Sequence, residues 1–223
     1  MSTTGSRATV RSGDLGARIT VAAAELLDES GDASAVTLRA VARRAGVSAP
    51  AIYGHHRDLQ SIFLVVVQEA FAELSAALRT AAGTDQHSGA GGGAGVENDG
   101  PAGAVARLRA TCSAYLDFAA RRPQRYRVMF GGLWTAKRAI ESSALKRTDV
   151  EALGQDALAV FVAALEDCVR TGASTSSDTF ADAVALWLGL HGLAHQRIVT
   201  AAFPWPADIE QHITTTLAHL TLD

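Results

Sequence analysis

The stretch "AGVSAPAIYGHH", Ala45 to His56, decides how this chain is to be read. It carries almost no reactive side chain, yet it is punctuated closely. Gly46 follows an amphipathic run and can supply the left-handed residue that ends a helix. Ser48 offers a hydroxyl to cap the next helix, and Pro50 falls in that helix's first turn, where a missing N–H costs little. Val47, just before the cap, is placed to staple onto Ile52. The same grammar stands one helix earlier: Thr37 caps the run that ends at Ala45, with Val36 set to staple onto Val41. Two short helices meeting at a tight corner make a helix-turn-helix.

What the second helix presents follows from its side chains. Ser48, Tyr53, His55 and Arg57 can donate hydrogen bonds to phosphate oxygens, and Arg39, Arg43 and Arg44 add positive charge nearby. The short Ala49, Pro50 and Ala51 allow close backbone approach to a groove and contact with thymine methyls. The competing reading is a corner that merely packs, with Tyr53 a half-buried aromatic.

Outward from the corner, the chain reads as helices. Toward the N-terminus, Leu15, Ile19, Ala22, Ala23, Leu26 and Leu27 recur at helical spacing from Asp14, with Gly31 as a stop. Residues 1–13 are small and polar, and a flexible arm is expected there. Toward the C-terminus, a helix starting near Arg57 carries Leu59, Ile62, Phe63, Val66, Ala70, Phe71, Leu74 and Leu78 to about residue 81. Residues 83–103 are Gly-rich and expected to form a flexible loop. A phosphate-cradling role for these glycines fails, since no strand precedes them and no Lys-Ser/Thr follows. Further helical patterns cover 105–118, "PQRYRVMFGG" from Pro123, roughly 135–145, 148–171, 177–202 and a last short run to Leu220. No stretch alternates as a strand does. The expected fold is all-α, with a DNA-binding domain at 14–60 and a helical domain at 61–223.

Composition sets limits on this reading. Hydrophobic residues make up 48% of the chain, enough for a buried core. The net charge of −3 excludes a protein-wide basic field, so any nucleic-acid site is a local patch. Cys112 and Cys168 lie far apart without metal-ligand spacing and read as free thiols of a reduced compartment; a redox-sensing pair is the alternative. Unbroken apolar runs such as "FLVVV" at 63–67 fall short of the ~18 residues of a membrane span. The expectation is a cytoplasmic protein with no membrane segment.

The N-terminal stretch resembles the DNA-binding domain of TetR-family transcriptional regulators across residues 15–64. The resemblance is carried by "RITVAAAELLDESG", "VTLRAVARRAGVSAPAIYGHHRDL" and the apolar run after them. Thr37, Ala45, Gly46, Val47, Ser48, Tyr53, His55, Asp58 and Leu59 all fall in the family's order. Three positions depart from it. His56 stands where the family has a core Phe, Ala51 where Thr is common, and Arg57 where Lys is usual. The resemblance implies a dimer that binds double-stranded operator DNA through Thr37, Arg39, Arg43, Arg44, Ser48, Ala49, Pro50, Ala51, Tyr53, His55 and Arg57. It also implies a small-molecule effector.

"RRPQRYRVMF" and "WLGLHGLA" resemble a C-terminal class of the same family that carries Trp, His and Gly in the penultimate long helix, here Trp187, His191 and Gly192. That implies a homodimer through the last long helices. Gly189 and Gly192, three apart, suit a close helix contact. The aromatic-rich zone of an aromatic-poor chain is the place to expect an effector pocket: Phe71, Tyr115, Phe118, Tyr126, Met129, Phe130 and Trp134, with Trp187 and His191. Tyr115, Tyr126 and Arg125 could orient a ligand, although most of these side chains also read as ordinary core.

His191 and His195, four apart on a helix, have a spacing that can bind zinc. Residue 192 is Gly rather than a catalytic Glu, and no third ligand is local, so no metal and no cofactor are expected. An enzyme built on His191 and Asp182 lacks a nucleophile motif and an oxyanion device. A third reading is a dimeric binding protein whose DNA function has weakened through His56 and Ala51.

Overall fold

The structure, a computed structural model, describes residues 5–30, 35–84, 100–130, 148 and 152–221, with backbone only for 5–14. Nine α-helices are present among the described residues: α1 Gly5–Ser30, α2 Leu38–Ala45, α3 Ala49–Ile52, α4 Leu59–Ala82, α5 Pro101–Arg121, α6 Pro123–Phe130, α7 Gln155–Arg170, α8 Thr179–Val199 and α9 Ile209–Leu217. The one β-type contact among these residues is an isolated bridge between Ser174 and Leu220.

The chain forms two compact units: Met1–Phe71 with Arg122–Leu153, and Ala72–Arg121 with Gly154–Asp223. This differs from the boundary expected at residue 60. The first half of α4 belongs with the head, because Ile62, Phe63, Val66 and Val67 are buried in the same cluster as Ile19, Val41 and Ile52. α6 joins that unit too, through Val128, so a segment distant in sequence completes the head's core.

The first unit is ordered by its caps. Thr37 is extended at φ −116° and its hydroxyl accepts from Ala40 N at 3.2 Å, opening α2. Gly46 closes α2 at φ 67°, ψ 36°. Its N–H donates to Arg43 O at 3.3 Å, and Val47 N donates to Ala42 O at 2.9 Å. These are the two bonds of a Schellman motif. Pro50 sits in the first turn of α3 as expected. Ser48 takes the N-cap position there, but its hydroxyl makes no cap bond, in contrast to the expected role. α3 is only four residues long, too short to persist by helix propensity. Ile52, fully buried, anchors it, and burying such a side chain contributes roughly 1.5–3 kcal/mol.

Several expected boundaries shift for local reasons. α1 begins at Gly5, so the backbone of 5–13, expected as an arm, continues the first helix. α5 begins at Pro101, which takes three residues from the expected loop at 83–103; residues 85–99 of that loop lie outside the described residues. The helix expected at 148–171 starts at Gln155, because Gly154 turns the chain at φ 80°. Gly172, at φ 79°, follows its end as expected. Gly31 and the helix expected near 135–145 lie outside the described residues.

In the second unit α5, α7, α8 and α9 pack around Leu108, Cys112, Tyr115, Phe161, Leu165, Leu186 and Leu190. Asp178 caps α8 by accepting from Ala181 N at 3.0 Å. The chain end is tied back by Ser174 Oγ donating to Ala218 O at 2.7 Å and Thr221 N donating to Ala173 O at 2.9 Å. Gly189 does permit a close helix contact, but within the chain: a Cβ there would lie 2.8 Å from Leu217 Cδ1 of α9. Gly192 faces open space.

α4 is long and apolar enough to cross a membrane by length and composition, with a mean hydropathy of 1.6 along its most apolar stretch. The expectation from unbroken apolar runs missed this, because scattered polar residues interrupt the helix without lowering its average much. Half of that stretch is buried within the protein.

Candidate nucleic-acid interface

α2, the Gly46 turn and α3 place the expected contact residues on the outside of the first unit. Tyr53 is 59% exposed, which sets aside the half-buried reading. Ser48, Pro50, Arg39, Arg43 and Arg57 are exposed, while Ala49, Ala51 and His55 are half-buried. Thr37 is exposed as well, with its side-chain oxygen turned onto the Ala40 N–H of its own helix. The turn beneath them is held by Arg18 of α1, whose Nη2 donates to Ala45 O at 2.6 Å. No pattern in the sequence pointed to Arg18, since a lone Arg on an amphipathic helix reads as solvated.

Arg44 differs from its neighbours. Its guanidinium lies 3.2 Å from Glu25 Oε2, and it binds Glu29 through both oxygens, one at 2.8 Å. The Glu29 hydrogen bond, followed by that from Glu25, raises the Arg44 pKa, and the Arg44 hydrogen bond lowers that of Glu29. Arg44 therefore cross-links α2 to α1. The charge counted toward DNA at this position is already neutralised within the protein.

His56 replaces the expected core aromatic and is itself buried, at 9% exposure. Its Nε2 has no hydrogen-bond partner. Below it, Asp58 and Ser61 start α4 reciprocally: Ser61 N donates to Asp58 Oδ1 at 2.8 Å and Ser61 Oγ donates to Asp58 O at 2.7 Å.

The aromatic zone expected as one pocket divides between the units. In the first, Phe71, Tyr126 and Phe130 cluster, with ring centroids 5.7 Å apart for Phe71–Phe130 and 5.0 Å for Tyr126–Phe130. Met129 is buried in this unit, and Arg125 pairs with Asp28 of α1 at 3.4 Å. In the second, Tyr115 packs edge-on to Phe161 at 6.1 Å, and its hydroxyl meets His191 Nδ1 at 3.2 Å. Trp187 lies 5.8 Å from the His191 ring, and Phe118 is buried. Trp134 lies outside the described residues.

Two grooves of about 500 Å³ occur in the second unit. One is lined by Arg79, Ala82, Thr84, Arg107, Asp156, Ala159, Val160, Ala163, Ala164 and Asp167. The other is lined by Ser113, Leu116, Asp117, Ala119, Ala120, Ala194, Arg197, Ile198 and Glu210. Among the described residues, none of those expected to line a pocket lines either.

Asp182 accepts from Ser176 Oγ at 2.6 Å and faces His219 Nε2 at 3.5 Å, while His191 is held by Tyr115. Burial, then the neighbouring His195, lowers the His191 pKa. Cys112 and Cys168 are buried, which pushes the thiols up to about 12 and about 11. Among the described residues no group of three or more His, Cys, Asp or Glu could hold a metal ion.

An exposed Tyr, Arg and Ser fringe on a helix-turn-helix, carried by an all-α chain, defines a DNA-binding transcription regulator. The family model described as "Bacterial regulatory proteins, tetR family" matches residues 19–66, and that described as "Tetracyclin repressor-like, C-terminal domain" matches residues 108–220. The chain belongs to the TetR family. No curated protein matches it.

Solved structures share the fold. A protein of unknown function from Rhodococcus sp. RHA1 aligns with TM-score 0.69 and 23% identity, over 93% of this chain and 96% of its own. The TetR-family regulator PfmR from Thermus thermophilus aligns with TM-score 0.57 and 20% identity, over 90% and 94%. The fatty acid degradation regulator FadR from Bacillus halodurans aligns with TM-score 0.63 and 12% identity, over 91% and 94%.

Proposed function

We propose that the protein is a cytoplasmic, dimeric repressor that a small-molecule effector releases from its operator. The observation that carries this reading is the exposed Tyr53 and Arg57 fringe beside a turn fixed by Gly46 and Arg18. Each head inserts α3 into a major groove, with Ser48, Ala49, Pro50 and Ala51 nearest the bases and Arg39, Arg43, Tyr53, His55 and Arg57 toward phosphates. Two heads in a dimer read a roughly palindromic site.

The dimer is supported by α8. Phe180, Leu188 and Val199 are 61%, 54% and 62% exposed, and they lie with the half-buried Val184 and with Gly192 along one stripe of helical spacing. So many exposed large apolar side chains on one helix suit a partner surface better than solvent. α7 and α8 of two copies then pair as a four-helix interface.

The groove containing Arg79 and Ala82 suits the effector better than the aromatic zone does. Its lining combines the apolar Ala82, Ala159, Val160, Ala163 and Ala164 with the Arg107–Asp167 ion pair, at 2.5 Å. This fits a small, mostly apolar molecule with a polar end. Arg79 and Ala82 lie on α4, whose first half belongs to the DNA-reading unit, so occupancy has a covalent route to the heads.

The test is to find operator by footprinting DNA that flanks the gene, then titrate candidate effectors with and without it. Linkage requires operator to weaken effector binding by the factor by which effector weakens operator binding. Ala163→Trp, which fills the groove, abolishes the response and spares operator affinity. Equal effector affinity in both arms refutes the allosteric reading.

A further inference from the structure

We infer that His56 makes the DNA-reading head acid-labile: it is a neutral wedge buried between α1 and the α3–α4 turn, and taking up a proton there loosens the head.

The geometry is specific. His56 N donates to Ile52 O at 2.8 Å, so its backbone is part of the turn that follows α3. Its ring is 9% exposed in a unit whose surrounding core is Ile19, Ile52, Ile62 and Phe63. The Gly16 carbonyl of α1, which accepts from the buried Thr20 hydroxyl at 3.2 Å, is the group that favours a proton on the ring. Nε2 is buried and unpartnered. The charged ring carries a proton on both nitrogens, so it would place one on Nε2, out of water and with no acceptor.

Among the described side chains, none supplies a counter-charge to the protonated ring. On its own turn, His55 lies over Gly16, whose added Cβ would be 3.6 Å from His55 Nδ1, and a charged His55 repels. Arg57 is exposed, and the Asp58 carboxylate is committed to Ser61 N. From α1, the Arg18 guanidinium is held on Ala45 O. The first turn of α4 holds no acidic and no basic residue. Burial first, then His55, lowers the His56 pKa, against the Gly16 hydrogen bond that raises it.

The sign follows from linkage. The unfolded chain takes its proton near the ordinary value of about 6.5, and the folded chain only below that. Head stability is therefore complete above about pH 6.5 and declines as pH falls toward the lower folded value. The loss is at most about tenfold in the opening equilibrium per pH unit, for one excluded proton.

The experiment uses the full chain without DNA, so it stands whether or not the repressor reading holds. Imidazole C–H resonances are titrated in the wild type. Protection of the Ile52, His55 and His56 amides is followed by hydrogen exchange, corrected for intrinsic rates. His56 is expected to titrate below the ordinary range, and protection to fall by up to about tenfold between about pH 6.5 and 5.5. In His56→Phe and in His56→Asn, which keeps a donor toward Gly16 without titrating, that pH dependence disappears. An ordinary His56 titration, or the same loss of protection in a folded variant, overturns the inference. The wild-type titration decides the matter even if neither variant folds.

Discussion

Gly46→Ala tests whether the corner depends on a left-handed residue. At φ 67°, ψ 36°, Gly46 occupies a region that costs an alanine about 1–2 kcal/mol. Its Cβ would meet only Arg18 Nη2, at 3.6 Å, which is ordinary contact, so no steric term adds to the backbone one. The unfolded chain of the Ala variant loses entropy, which returns about 0.4–1 kcal/mol. The net loss is therefore about 0.5–1 kcal/mol. Gly46→Asn should lose less, because asparagine tolerates this region better than alanine. Hydrogen exchange at Val47, whose N–H closes the Schellman motif on Ala42 O, reads the opening of the turn directly. The expected change is roughly two- to fivefold faster exchange in Ala and less in Asn. A neutral Ala variant, or an Asn variant worse than Ala, would refute the backbone account of the corner.

Tyr53→Ala and Arg57→Ala should weaken binding to specific and non-specific duplex alike, and Arg57→Ala should flatten the salt dependence by about one counterion. Arg44→Ala should leave that slope unchanged and instead loosen α1 against α2, seen as faster amide exchange in α2. Leu188→Asp places a charge in the α8 stripe and should shift sedimentation from dimer to monomer while leaving circular dichroism intact. Cys112 and Cys168, buried with raised thiol pKa values, should resist thiol reagents at neutral pH in the native chain and react once it unfolds.

Local rules were legible because they act over a few residues. Thr37, Gly46, Pro50 and Gly172 stand where capping and turn chemistry require them, and the apolar spacing of α1 and α4 names their buried faces. The exposed Tyr53 and Arg57 fringe was also readable, since a short helix anchored by Ile52 leaves its other positions outside. Partners distant in the chain were not readable. Whether Arg44 faces solvent or Glu25 and Glu29 depends on how α1 crosses α2, and no spacing encodes that. His56 gave a departure from pattern, but only packing against Gly16 turned it into a buried ring with an unpartnered nitrogen. The aromatic residues were alike in sequence. Tertiary structure assigned Tyr126 and Phe130 to one unit and Tyr115 and His191 to another. It left the open grooves to alanines, which carry little signal in a sequence because small side chains suit a helix anywhere.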